Sequence, residues 1–150
     1  MFPNLIHAAI PFFVGFILLE IILTAYFKIK TYELKDASSS IAMGLGNVFL
    51  GVIGKTLVFG AFTLVHQFAI FDLGYHWWVW ILAFFADDLS YYWFHRTSHK
   101  VRFFWASHVV HHSSQRYNLA TALRQTWTGN FTGSFMFWLW MPLLGFEPLM

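Results

Sequence analysis

The sequence predicts an all-α polytopic transmembrane helical bundle with a histidine-rich metal site at its cytoplasmic face. Three observations predict it. Of the 150 residues, 58% are hydrophobic and only 11% charged, whereas charged residues make up about a quarter of a soluble domain. The apolar residues lie in long runs, and a helix needs about 20 of them to cross a bilayer. Five of the eight histidines fall within the eighteen residues His95 to His112, directly after one of those runs.

The same composition excludes other classes. A net charge of +2 without a basic stripe does not fit nucleic acid binding. The chain has no cysteine, which removes disulfides, iron–sulfur ligation and a haem thiolate and leaves histidine and carboxylate as metal ligands.

The first span is expected over residues 5–27, an uncleaved helix, because the start Met1-Phe2-Pro3-Asn4 lacks the basic residues of a signal peptide. Glu20 interrupts it and reads as a residue near a helix end or facing another helix. A polar connection over residues 28–40 follows, in which Asp36 or one of Ser38, Ser39 and Ser40 is suited to cap the next helix. The second span is expected over residues 41–70, where Gly44, Gly46, Gly51, Gly54 and Gly60 suit close helix contact. After a turn at Gly74, Trp77 and Trp78 anchor a third span over residues 77–94 that continues as helix into the histidines. A fourth apolar run, residues 129–146, reads as a partial span ended by Gly145 and Pro148. With three crossings, eight of the nine Lys and Arg residues share one side, all but Lys55, and the positive-inside rule makes that side cytoplasmic.

The chemistry lies in two histidine sets. On a helix, His95 and His99 stand one turn apart on one face, able to chelate one ion or flank two. His108, His111 and His112 follow at i, i+3 and i+4; adjacent His111 and His112 point about 100° apart if helical, which suits a site holding two metals. Imidazole suits zinc, iron, copper and nickel. Asp88 lies seven residues before His95, about 10 Å along the helix. That makes it a candidate catalytic or orienting carboxylate rather than a co-ligand. Tyr91, Tyr92 and Trp93 read as an aromatic interface belt. His7, His66 and His76 stand alone and read as packing or interface residues.

The strings His95-Arg96-Thr97-Ser98-His99 and His108-Val109-Val110-His111-His112 resemble the HxxxH and HxxHH boxes of the fatty acid hydroxylase/sterol desaturase superfamily. The likeness extends through Tyr91-Tyr92-Trp93-Phe94, Trp105-Ala106, Ser113-Ser114, Tyr117-Asn118-Leu119 and Thr121-Ala122-Leu123-Arg124-Gln125, and is greatest to the alkylglycerol monooxygenase branch. It implies that the chain is the N-terminal part of one such membrane domain, in the bacterial inner membrane or the endoplasmic reticulum. It also implies a di-iron oxygenase that hydroxylates or desaturates a membrane lipid with oxygen and an electron donor. In that branch the donor is tetrahydrobiopterin and the substrate an ether lipid. By match to the boxes, His95, His99, His108, His111 and His112 are the metal ligands. Zinc is able to occupy such a site in purified protein, since it generally binds more tightly than iron(II). The chain departs from the pattern at Lys100, where the animal enzymes carry an acid, and Met150 precedes the further boxes of the family. The 150 residues alone are therefore expected to be catalytically incomplete and to hold at most one metal. The rival readings are a histidine-based metal transporter or sensor and a non-catalytic membrane fragment.

Overall fold

A computed structural model describes residues 5–150, with side chains from residue 9 onward. His7 therefore lies outside the described side chains. The chain falls into two compact units, Met1–Gly46 with Val110–Gln125, and Asn47–Val109 with Thr126–Met150. All regular structure among the described residues is helical.

In the first unit, α1 spans Leu5–Tyr26. Its apolar side chains are exposed around most of its circumference, Phe12, Phe16 and Ile22 among them, as suits a helix surrounded by lipid. Phe13, Ile17, Glu20 and Thr24 are only partly exposed; their 4-3-4 spacing sets them on one face. On that face the Glu20 carboxylate accepts hydrogen bonds from the Tyr32 hydroxyl at 2.6 Å and the Leu119 N–H at 2.8 Å. A carboxylate in an apolar helix needs such donors because lipid offers none. The helix ends in a Schellman motif. Lys28 takes a left-handed φ of 55°, its N–H donates to Ala25, and the Ile29 N–H donates to Thr24. These bonds satisfy terminal carbonyls, and the lysine charge suits the negative end of the helix dipole.

Helix α2 spans Leu34–His66 and crosses from the first unit into the second. It starts earlier than the apolar run, so Asp36 sits in its first turn and not before it. There its charge meets the positive helix end. Ser38, Ser39 and Ser40 are likewise inside the helix, each donating back to the carbonyl of Lys35 or Asp36. The cap expected from one of them is thus absent, because the polar residues are themselves helical. The glycines of α2 divide in the same way. A Cβ on Gly44 would lie 3.0 Å from the Leu123 carbonyl oxygen, and one on Gly54 would lie 2.7 Å from Asn130 Nδ2, while Gly60 faces open space. The close approaches are to short 3₁₀ segments rather than to another long helix.

In the second unit, α3 spans Trp77–Lys100 and continues through the first histidine box. Val79, Ala86, Ser90 and Ser98 form its buried face. Val79 and Ala86 meet Phe146 in a small core covered by Leu73, Ala83, Trp140, Met141, Leu144 and Met150. The fourth apolar run is not one helix. It folds as 3₁₀ turns Gly129–Thr132 and Ser134–Trp138 and a short α5, Trp140–Leu144. Gly133 and Gly145 take φ of 79° and 108°, conformations that interrupt a right-handed helix. Two indole N–H groups tie this run to α3: Trp138 donates to Asp87 at 2.7 Å and Trp140 to Ser90 at 2.9 Å.

Residues Ala9–Tyr26 of α1 and the whole of α2 are long and apolar enough to cross a membrane. Helix α3, with Asp87, Asp88, Arg96 and Lys100 along it, is less apolar than either. The loop between α1 and α2 offers a test of the first unit. Burial, then the hydrogen bond to Glu20 and its negative charge, push the Tyr32 hydroxyl from 10.0 up to about 12. A group whose folded pKa is raised stabilises the fold below its unfolded value, and that contribution is lost as pH rises through the folded one. Between pH 10 and about 12, the wild-type protein should therefore lose more thermal stability than Tyr32→Phe. Parallel melting curves for the two across that window would show that the bond contributes nothing.

Candidate metal centre

Three of the five box histidines belong to the second unit and converge there. His95 and His99 stand one turn apart on α3, as their spacing requires. Val101 breaks the helix with φ −107° and ψ 119°. The chain then re-enters a helix as α4, Arg102–His108, whose last residue is His108. This break turns α4 back against α3 and brings the third imidazole to the first two. Ring centroids are 4.8 Å apart for His95 and His99, 4.7 Å for His95 and His108, and 4.9 Å for His99 and His108. One nitrogen of each lies within 4.8 Å of the others, and Nε2 of His95 and Nε2 of His99 are 3.1 Å apart.

The His95–His99 separation fits one ion. Metal–imidazole bonds of about 2.1 Å at angles between 90° and the tetrahedral value place ligand nitrogens about 3.0–3.4 Å apart. Three neutral imidazoles suit zinc, iron or copper and give no preference for calcium or magnesium. The surroundings hold the rings in place. Phe94 packs edge-on against His108 at 6.3 Å and also contacts Phe137 and Trp138, while Tyr91 lies 5.5 Å from His95 and Trp105 5.5 Å from His99. Beside His108, the buried Ser107 hydroxyl lies 3.0 Å from the hydroxyls of both Thr126 and Thr128. This anchors α4 to the chain that follows Gln125 in the second unit.

Asp88 is exposed and lines a shallow pocket of about 310 Å³ with Tyr91, Tyr92, His95 and Arg96. Among the described residues it makes no hydrogen bond to a histidine; the bonded carboxylate of the pair is Asp87. Arg96 donates to the Tyr92 hydroxyl at 2.8 Å and lies over the Tyr92 and Trp93 rings at 5.9 and 6.0 Å, an aromatic and cationic edge of the kind found at membrane interfaces. His66 ends α2, and His76 stacks on Trp78 at 6.0 Å; among the described residues neither joins a group of metal-ligating side chains.

His111 and His112 belong to the first unit. Helix α4 stops at His108, so the doublet sits in a turn and not on a continued helix, with rings 5.2 Å apart and 80° between their planes. Both line a pocket of about 500 Å³ together with Glu20, Gln115, Asn118 and Thr121. His111 Nδ1 lies 3.3 Å from the Arg124 carbonyl oxygen. A carbonyl only accepts, so this bond requires the proton on Nδ1 and places the lone pair on Nε2. Sequence reasoning identified the imidazoles by their spacing. It did not identify Ser107, Asp87 or Arg124, whose partners lie 19 to 88 residues away along the chain. For Asp36 and Arg124 the signal was present: opposite charges beside long apolar runs need partners.

The sequence is similar to that of known proteins. The fatty acid hydroxylase family model matches residues 80–150, which include both boxes. An alkylglycerol monooxygenase of Danio rerio is 37% identical over 146 residues, 95% of this chain and 32% of that protein. The Homo sapiens protein of the same name is 36% identical over 127 residues, 83% of this chain and 28% of the relative. That of Xenopus tropicalis is 30% identical over 138 residues, 91% and 31% of the respective chains. The chain thus spans about a third of the length of these curated relatives. No solved structure matches it.

Proposed function

The chain belongs to the fatty acid hydroxylase/sterol desaturase superfamily and its alkylglycerol monooxygenase-like branch, and from that premise we propose a membrane-bound di-iron monooxygenase that hydroxylates a lipid, an ether lipid in particular, with O₂ and a reductant. The observation that carries this reading is the convergence of His95, His99 and His108, whose ring nitrogens lie within 4.8 Å of one another. His111 and His112 join them as ligands by their match to the second box. Five imidazoles shared between two ions, with water in the remaining positions, is the arrangement proposed. Iron held there supplies the activation of oxygen needed to break a C–H bond.

The protein's own residues hold and surround the centre. The aromatic side chains Phe94, Trp105 and Tyr91 pack against the imidazole rings and fix their orientation. Asp88, in the shallow pocket beside His95, is proposed to accept a hydrogen bond from an incoming polar group and so orient it. Tetrahydrobiopterin is the reductant proposed, on the likeness to the alkylglycerol monooxygenases. A metal transporter is less well supported: it needs polar groups leading across the spans to the histidines, and α1 is apolar around most of its circumference.

The protein is proposed to cross the membrane several times with Lys28, Lys30, Lys35, Arg96 and Lys100 on the cytoplasmic side. Lys30→Cys and Lys100→Cys should then react alike with an impermeant thiol reagent from that side; labelling from opposite sides would reject the topology. The activity is tested with the full-length protein in lipid, given iron, tetrahydrobiopterin, ¹⁸O₂ and an alkylglycerol. One ¹⁸O atom is expected in the lipid product, with turnover falling at least about a hundredfold in His95→Ala. Product formed under nitrogen would refute the proposal.

A further inference from the structure

We infer that Arg124 is a positioning residue for the second histidine box, setting His111 as an Nε2 ligand through a buried ion-pair network; this rests on the metal-centre reading above. The network lies wholly within the first unit. Arg124 is 8% exposed, and its guanidinium spends its donors on four groups. Nη2 reaches Asp36 Oδ1 at 2.7 Å and the Asp36 carbonyl at 3.0 Å, Nε reaches Ser40 Oγ at 3.1 Å, and Nη1 reaches Ser113 Oγ at 3.0 Å. The Ser114 hydroxyl lies 2.7 Å from the other Asp36 oxygen and 2.8 Å from the Arg116 carbonyl, and its one proton is shared between these two acceptors. The first turn of α2 is thereby bound to the two residues that directly follow His111-His112. The backbone of the same arginine supplies the carbonyl that takes the His111 Nδ1 proton.

Two consequences follow from this arrangement. A desolvated guanidinium with a planar fork holds its partners in one geometry, which a lysine ammonium does not reproduce. The side chain of Arg124 therefore fixes the place of its own carbonyl, and that carbonyl fixes the ring and tautomer of His111. Partners of this kind typically change metal affinity by about 10–100-fold when lost. The serines following the doublet and the Asp36 in the first turn of α2 have no other part in the proposed chemistry, which explains why a chain so short of charge keeps an acid and a base there.

The experiment uses the full-length protein, stripped of metal and titrated with Co(II), whose visible absorption reports coordination. A second readout is the ring nitrogen spectrum of ¹⁵N-histidine-labelled metal-free protein. In Arg124→Lys, Co(II) affinity should fall about 10–100-fold, and His111 should change from a single Nδ1–H tautomer to a mixture. Ser114→Ala, which loosens Asp36 while leaving the ion pair, should move both readouts the same way by less, and it decides the matter if Arg124→Lys does not fold. Ser39→Ala, a serine bonded only within α2, should match the wild type. A folded Arg124→Lys, or in its place Ser114→Ala, with wild-type Co(II) affinity and a single Nδ1–H tautomer at His111 would overturn the inference. A wild-type protein that shows the Arg124 dependence of Co(II) binding but oxygenates no lipid would instead defeat the proposed function alone.

Discussion

A hydrogen-bonding group set in an apolar chain has to find its partner within the protein, because lipid supplies none. Contacts that join distant segments of this molecule are largely of that kind. Glu20 on α1 gathers Tyr32 and the Leu119 N–H. Asp36 on α2 gathers Arg124 and Ser114. Asp87 and Ser90 on α3 each take an indole N–H from the fourth apolar run. Burial of apolar side chains contributes less: the buried hydrophobic residues among those described are Val79, Ala86, Ala120 and Phe146. In a bilayer, lipid tails cover the remaining apolar surface as well as protein does, so packing alone cannot choose a fold. The sparse polar contacts make that choice.

The imidazole cluster is the most demanding case of the same constraint. Three histidines with nitrogens at 3–5 Å separations are costly beside an apolar span unless something binds them together. The proposed metal ion does so for all three at once. It also explains the break at Val101, which does nothing for membrane crossing but delivers His108 to the end of α3.

The helices and the boxes were legible in the sequence for physical reasons. Runs of apolar residues of bilayer length admit almost only helix, so α1 and α2 follow from composition. The i, i+4 spacing of His95 and His99 fixes their common face. What was not legible depends on tertiary partners. Nothing local shows that Asp36 lies inside α2 facing its partner, since that partner, Arg124, is 88 residues away. Nothing local shows that the run after Thr128 folds as 3₁₀ turns, since the left-handed glycines at 133 and 145 are read as such only once their backbone is seen. The second box misled in one respect: helical spacing of His108, His111 and His112 holds only if α4 continues, and it ends at His108.

The central claim is that the box histidines hold metal. Extended X-ray absorption fine structure at the iron edge of the full-length protein tests it most directly, because imidazole rings give characteristic outer-shell scattering. The wild type should show several imidazoles per iron, with a second iron in the outer shells. The triple variant His95→Ala, His99→Ala, His108→Ala should lose iron or most of that scattering while remaining in the membrane. Iron bound in the triple variant with wild-type stoichiometry and unchanged imidazole scattering would contradict the claim.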